Sequence, residues 1–506
     1  MLGRMQLQIV SPTKALVKSA TEEDVQRLTK LLSYTNKSNQ FMLKKHYSNR
    51  WWRSKDPDGW ARRLEELKNS INKSLVYGTE ELYIRPGSIP YIKDEIKFDV
   101  VNKMVLPTPR KVAWAKPLPF DLHPYQQSAH EKLIAGIHTN AELCTGAGKS
   151  AIILKNCRET GFQTAVVAPG KSIFNELLDK FEEHLGRVNV GKFGDGKKTL
   201  GKRFTICIGD SLANVEPGTP EWTFFSKMQQ IEVDESHLWG AESLDQVCHG
   251  VFADVPHRHF FSGTQTRNDG SEKLLQSTVG ETVETLSTKE AVAGGYICPQ
   301  QYRIIAIESS NPNYNSPDVL EMKRVHFLRN RNIAAFIAKL ANADALKGRQ
   351  SLILVEELNQ IAMLLPLLKV PVAIAHSEKK ADRLRELGIE KVDPKESVEK
   401  FNKAEAMVLI GTSCISTGTN IYPTHNTFNW QGGASEIMTK QGAIGRSVRL
   451  HSQNPWKDRC LIKEISTIWD FDVFDCYVLQ KHLEDRMGFY KETGSEIKFI
   501  SLRKTL

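Results

Sequence analysis

Cys144-Thr145-Gly146-Ala147-Gly148-Lys149-Ser150 reads as a phosphate-binding loop, and the apolar run Ala151-Ile152-Ile153-Leu154 directly after it begins a helix. Glycines let backbone N–H groups turn inward around an anion. In such a loop the Lys149 ammonium reaches the terminal phosphates and the Ser150 hydroxyl suits Mg²⁺. The expected helix points its positive end at the same phosphates. A second element follows downstream. Ile231-Glu232-Val233-Asp234-Glu235-Ser236-His237 is an apolar strand ending in two carboxylates. Metal-assisted phosphoryl transfer needs that other half: Asp234 to hold the metal, Glu235 to orient or deprotonate the attacking water. Together the segments point to nucleotide hydrolysis, with ATP and Mg²⁺ as the expected cofactors.

Composition narrows the class. The chain has 506 residues, with 40% hydrophobic and 25% charged, which suits a folded protein of about three domains. It lacks any apolar run long enough for a transmembrane helix, and its first residues lack the apolar core of a signal peptide, so a cytoplasmic location is expected. The 8 cysteines form no CxxC pair, which argues against a zinc site or a disulfide framework. Charge is unevenly placed. Residues 1–120 carry 22 Lys/Arg against 12 Asp/Glu, so the net charge of +9 resides in that segment and the rest is close to neutral. A basic segment on a neutral body predicts a polyanion partner, here nucleic acid.

The chain divides into three parts. A small basic N-terminal domain (1–115, α+β) ends in a proline-bearing linker, LPTPRKVAWAKPLPF. A first βα-alternating domain (116–298) has expected strands at Thr164–Ala168, Phe204–Ile208, Ile231–Val233 and His259–Ser262. It closes on a hinge-like Gly294-Gly295-Tyr296-Ile297-Cys298-Pro299. A second such domain (299–506) has expected strands at Tyr302–Ile307, Ser351–Val355, Val372–Ala375, Ala406–Ile410, Asn426–Trp430 and Cys460–Ile465, and a closing helix over VLQKHLEDRMGFYKETG. Near its end, Gly442-Ala443-Ile444-Gly445-Arg446-Ser447-Val448-Arg449 places two arginines at i and i+3 on one helix face. Such a pair suits the charge that develops on a γ-phosphate.

This set of motifs resembles superfamily 2 helicases over about Phe120 to Tyr490. Leu122-His123-Pro124-Tyr125-Gln126 matches the adenine-reading segment, and Cys144–Ser150 matches motif I. Val166–Lys171 matches motif Ia, Gly209–Leu212 motif Ib, and Asp234-Glu235-Ser236-His237 is a DExH motif II. Ser262-Gly263-Thr264, followed by Arg267, Asp269 and Gly270, matches motif III. Gly411–Asn420 matches motif V and Gly445–Arg449 motif VI. Several positions depart from the family pattern: Leu143 opens the phosphate pattern, Ile208 replaces the motif Ib threonine, Asn420 the motif V aspartate, and Gly442 the motif VI glutamine. The resemblance implies two tandem RecA-like domains. It implies that Tyr125 and Gln126 read adenine, that Thr145, Gly146, Ala147, Gly148 and Gly418 line the nucleotide, and that His237 relays the γ-phosphate state to Ser262 and Thr264. Pro169, Gly170, Lys171, Ser211, Thr412 and Ser413 fall where family members touch the nucleic-acid backbone. Ser416-Thr417-Gly418, Gly191–Lys198 and the region from Trp469 to Tyr490 are similar to the phage UvsW group of branch-migration helicases. That narrower likeness implies translocation on DNA and remodelling of forks, Holliday junctions and R-loops by a monomer. An RNA helicase and a duplex translocase that unwinds little remain open alternatives.

The N-terminal part interleaves cations with rings: Lys44, Lys45, His46, Tyr47, Arg50, Trp51, Trp52, Arg53, Lys55 and Trp60. Cations meet phosphates and rings stack on exposed bases. Lys45, Arg50, Trp51, Trp52 and Arg53 are therefore the candidate DNA contacts, with the tryptophans as a wedge at a junction. The same rings also suit a small domain's core.

Overall fold

The computed structural model describes residues 4–114, 116–263, 270–415, 420–433, 439, 443–474 and 476–501. The chain forms two compact units, Met1–Leu143 with Gly148–Thr285, and Cys144–Ala147 with Leu286–Leu506. Both are α/β and built on largely parallel sheets, the tandem RecA-like arrangement.

In the first unit an eight-stranded sheet runs in the order Lys197–Thr199, Val190–Gly194, Phe204–Ile208, Thr164–Ala168, Gln230–Val233, His257–Ser262, His138–Leu143, Glu281–Leu286. The six strands from Val190–Gly194 through His138–Leu143 pair in parallel. Thr164–Ala168, Phe204–Ile208 and Gln230–Val233 are buried along their whole length, as expected of strands covered on both faces. The antiparallel edge hairpin turns at Asp195-Gly196, both with positive φ (52° and 69°), the backbone that a tight two-residue hairpin demands. The phosphate loop and the Asp234–Glu235 pair lie at the carboxyl ends of their strands, where open α/β sheets bind ligands.

The basic N-terminal part belongs to this same unit. Its five-stranded sheet has the order Val76–Tyr77, Tyr83–Ile84, Lys14–Lys18, Gln6–Ser11, Asp99–Asn102. Between Lys14–Lys18 and Val76–Tyr77 the chain runs out through the helices Lys37–Ser48, Arg50–Lys55 and Pro57–Ile71, and the two-stranded ribbon Ser33–Thr35 with Asn72–Ser74 closes their base. Short helices are marginal alone. Each of these is started by a side-chain cap, from Asn36, Asn49 and Asp56 in turn. The part is bolted to the eight-stranded sheet's unit. Arg85 makes a two-pronged ion pair with Asp245 of helix Ala241–His249. Glu242 accepts from Asn36 Nδ2 at 3.0 Å and Lys73 Nζ at 2.8 Å, and Lys273 Nζ donates to Ser33 O at 2.9 Å. A Cβ at Gly270 would stand 2.4 Å from Thr35 O, so Gly270 lies directly against this part. Burial pushes the Asp245 carboxyl up, but hydrogen bonding from His249 and the Arg85 charge outweigh it and hold the group at about 2.

The second unit contains a seven-stranded, all-parallel sheet in the order Val372–Ala375, Val408–Gly411, Ser351–Val355, Asn426–Trp430, Ser466–Val473, Gln300–Ile307, Ile497–Ser501. The strand expected at Cys460–Ile465 is absent from that place. Leu461, Ile462 and Ile465 are exposed, and the pairing strand starts at Ser466, whose alternate residues are buried. Apolar composition alone misplaced it, because the true strand carries Asp470 and Asp472 among its apolar residues. The closing helix Tyr477–Glu492 is fixed there: Arg486 grips the fully buried Asp470 through Nε (2.7 Å) and Nη2 (2.9 Å), and Tyr490 donates to the same carboxylate at 2.7 Å. Among the described residues no helix is long and apolar enough to cross a membrane.

Candidate nucleotide and nucleic-acid sites

The phosphate loop joins strand His138–Leu143 to helix Lys149–Thr160. Gly146 and Gly148 hold φ of +89° and +73°, left-handed values that give their N–H groups the inward turn. Ala147 N–H closes the turn on Cys144 O at 3.2 Å. Thr145 is half-buried in the same turn. Gln126 lies against the loop: its Nε2 is 2.6 Å from where a Gly148 Cβ would be, and its Oε1 accepts from His123 N–H at 2.9 Å. Tyr125 stacks on the His123 ring at 5.9 Å. A cavity of about 580 Å³ opens nearby, lined by Phe120, Leu122, Gln127, Trp114 and Arg158 among others.

Lys149 is 6% exposed and its ammonium contacts Glu235 Oε1 at 3.0 Å and Leu143 O at 3.3 Å. Glu235 holds φ +48°, ψ +49°, a left-handed backbone that costs a non-glycine residue about 1–2 kcal/mol. The Lys149 pair and a bond from Glu235 N–H to Asp234 Oδ1 (2.9 Å) offset that strain. Burial, and then the Glu235 charge, push the Asp234 carboxyl up to about 7. Burial also opposes ionisation of Glu235, but Lys149 and His237 outweigh it and keep that carboxyl below its ordinary value. His237 Nδ1 is 3.5 Å from Glu235 and 3.0 Å from Ser262 Oγ, so motif II and the start of motif III touch through one imidazole. Thr264, Arg267, Asp269, Ser416, Thr417, Gly418, Gln441 and Gly442 lie outside the described residues.

Lys180 and a buried polar chain were not foreseen. Lys180 Nζ donates to Ser150 Oγ and to Glu176 Oε1, both at 2.8 Å, so an ammonium already stands at the hydroxyl expected to meet a metal. Beneath the loop, Glu232 is fully buried and accepts from Asn156 Nδ2 at 3.3 Å, from Gln230, and pairs with His259 Nδ1 at 2.8 Å. His130 Nδ1 bonds Asn156 Oδ1 at 2.7 Å. One polar chain thus ties the helix of Gln126, the helix of Lys149 and the strand of Asp234. Its only sequence signal is an acid inside an otherwise apolar strand.

In the second unit, Arg446 lies on the short helix Gly445–Ser447 and is buried, and Arg449 follows half-buried. Gln300 Nε2 supports this segment through Ser447 Oγ (2.7 Å) and Ile444 O (3.0 Å). Lys463 Nζ donates to Ser447 O at 3.2 Å, and burial pushes that amine down to about 8. Thr412 and Ser413 sit just after strand Val408–Gly411, half-buried and exposed respectively.

The candidate nucleic-acid residues divide by exposure. Lys45, Arg50 and Arg53 are exposed, Trp51 is 71% exposed, and Phe41, Met42 and Tyr47 of the preceding helix are exposed as well. Trp60 is instead the hairpin's core: its ring stacks on His46 at 4.9 Å, its Nε1 donates to His46 O, and Arg53 covers it at 4.9 Å. Trp52, half-buried, meets the His46 ring edge-on at 5.1 Å. Pro169 and Gly170 begin the helix Lys171–Leu185, with open space where a Gly170 Cβ would be. Lys171 pairs with Asp195 of the edge hairpin at 2.7 Å, and Ser211 is half-buried in helix Gly209–Ala213.

In fold and motif geometry the chain resembles superfamily 2 helicases, and its two α/β units have the RecA-like fold. Residues 119–261 match the family described as type III restriction enzyme, res subunit. No curated protein matches the chain. Among solved structures, Mss116p bound to ssRNA and AMP-PNP is 14% identical, with 76% of this chain and 75% of that chain covered and a TM-score of 0.52. The type ISP restriction-modification enzyme LlaBIII bound to DNA is 10% identical over 76% of this chain and 32% of that one, with a TM-score of 0.50. UvsW of phage T4 is 14% identical, with 99% of both chains covered and a TM-score of 0.42.

Proposed function

We propose that the chain is an ATP-driven DNA motor that moves branch points, acting on forks, four-way junctions and R-loops. The observation that carries the hydrolytic half is the Lys149–Glu235 ion pair at 3.0 Å, with Asp234 buried beside it. A loop of inward N–H groups and one ammonium fit a polyphosphate, and the oxygens of buried Asp234 and half-buried Glu235 are the hard donors that suit Mg²⁺. When bound, Mg²⁺ would neutralise phosphate charge from Ser150 and Asp234. Lys149 then exchanges Glu235 for phosphate oxygens, and Glu235, released from that pair, orients the attacking water. Gln126 and Tyr125 hold the adenine, and Phe120 offers its ring in the adjoining cavity. Arg446 and Arg449 serve as the guanidinium donors that meet charge developing on the γ-phosphate.

Pro169, Gly170, Lys171, Ser211, Thr412 and Ser413 take the sugar–phosphate backbone, which carries no base information. Binding should therefore be indifferent to sequence and weaken steeply with salt. Lys45, Arg50 and Arg53 hold the duplex arms, and Trp51 stacks on an unpaired base at the branch. DNA is favoured over RNA by the DESH form of motif II. The deciding measurement is ATP hydrolysis with branched DNA, single-stranded DNA, RNA or no nucleic acid, alongside strand displacement on forks, four-way junctions and R-loops. Equal stimulation by RNA and branched DNA would overturn the substrate assignment.

A further inference from the structure

We propose that Trp239 and Gly209 form the joint by which the hydrolytic loop and the strand-gripping loop sense one another. Trp239 stands four residues after Glu235, across a single tight turn (Ser236–Leu238) closed by Leu238 N–H on Glu235 O at 2.9 Å. The turn has no slack, so a shift of Glu235 is a shift of Trp239. The indole is 6% exposed and its six-membered ring occupies the space beside Gly209: a Cβ there would fall 1.5 Å from Cη2, 2.2 Å from Cζ3 and 2.3 Å from Cζ2. Gly209 has no positive φ, so its glycine is required by the ring and not by the backbone. Gly209 opens the helix Gly209–Ala213, which carries Ser211. On the other side, Trp239 leads into helix Ala241–His249, whose Gln246 Nε2 reaches Ala213 O at 3.4 Å. Leu212, Trp239, Ala241 and Leu244 are buried in one apolar cluster. Close-packed groups of this kind shift as a body. A rigid bicyclic ring wedged onto bare backbone is therefore a positioning element. It transmits movement of the Asp234–Glu235 loop to the turn that bears Ser211, and the reverse.

This inference rests on reading Ser211 and its neighbours as backbone contacts, and the experiment separates the two. In the full chain, Trp239→Leu keeps an apolar filler but removes the ring. Its basal ATPase and its DNA affinity should stay within about twofold of wild type, while stimulation of hydrolysis by branched DNA falls about tenfold, a typical coupling between sites. Gly209→Ala should lose stimulation and fold poorly, and adding Trp239→Leu to it should restore the melting temperature, because the Cβ then has room. A ring that merely fills the core would lower the melting temperature and leave the ratio of stimulated to basal rate intact. Trp239→Leu with full stimulation overturns the joint. Unaltered DNA affinity in a Lys171→Ala, Ser211→Ala double variant would instead overturn the backbone-contact reading on which the joint depends.

Discussion

The first unit holds two clusters of cations and rings that obey opposite rules. Around the phosphate loop Lys149 is buried and paired, burial above all raises the Asp234 carboxyl, and Lys149 with His237 outweighs burial to lower that of Glu235. On the helical hairpin Lys45, Arg50 and Trp51 stand in solvent. Burial makes the difference in both energy and role. A buried charge is costly to leave unpaired, so its geometry is enforced. An exposed one is cheap and adaptable, and that suits a substrate of varying shape.

That contrast can be broken at its strongest point. Lys149→Ala should lower ATP hydrolysis by at least about a thousandfold while DNA affinity holds, because a fixed charge on the transferring phosphate is worth about 4 kcal/mol. A steady-state ATPase assay beside fluorescence anisotropy checks both halves, and concurrent loss of the melting transition would reassign Lys149 to structure. Next in size, Trp60→Ala should destabilise the hairpin by about 3–4 kcal/mol, since it removes the ring that His46 and Arg53 clasp. Hydrogen exchange over residues 37–71 reads this directly, and basal ATPase should not move.

The Arg85–Asp245 bolt that ties the N-terminal part to helix Ala241–His249 gives a pH test. Asp245 falls from 3.8 in the unfolded chain to about 2 in the fold, so its stabilising share is complete above about pH 4 and is lost as pH falls through about 2. Asp245→Asn should therefore cost about 2 kcal/mol near neutral pH and little near pH 2, as thermal melts across that range will show. Smallest of the set, Trp51→Ala should weaken binding to DNA with unpaired bases by about 1–2 kcal/mol and leave blunt duplex binding nearly unchanged. Equal loss on both would make Trp51 a general surface contact.

Much of this architecture was legible in the chain itself. The expected strands Thr164–Ala168, Phe204–Ile208, Ser351–Val355, Val372–Ala375 and Asn426–Trp430 coincide with those found; Thr164–Ala168, Phe204–Ile208 and Ser351–Val355 are fully buried, mostly apolar runs with clear ends. His138–Leu143 escaped notice for the opposite reason. It carries Thr139 and Asn140 into the interior, and an Asn140–Thr282 bond satisfies the amide. The phosphate loop and its acids were readable because their chemistry is local in sequence. Lys180 at Ser150, and Asn156 at Glu232, were not, since nothing in a linear pattern brings together residues that only a sheet makes neighbours. The tryptophans were half legible. Composition marked the cluster, and only packing separates the solvent-facing Trp51 from the core Trp60.

The second sheet carries a consequence for how the protein is made. Its strand Gln300–Ile307 is flanked on both sides by late segments: Gln300 pairs with Ser466, and Tyr302 with Ile497. The carboxylate of Asp470 likewise waits for Arg486. During synthesis, therefore, that strand leaves the ribosome with both edges bare, long before its mates exist. The sheet can complete both edges of that strand only after Ile497–Ser501 has been translated.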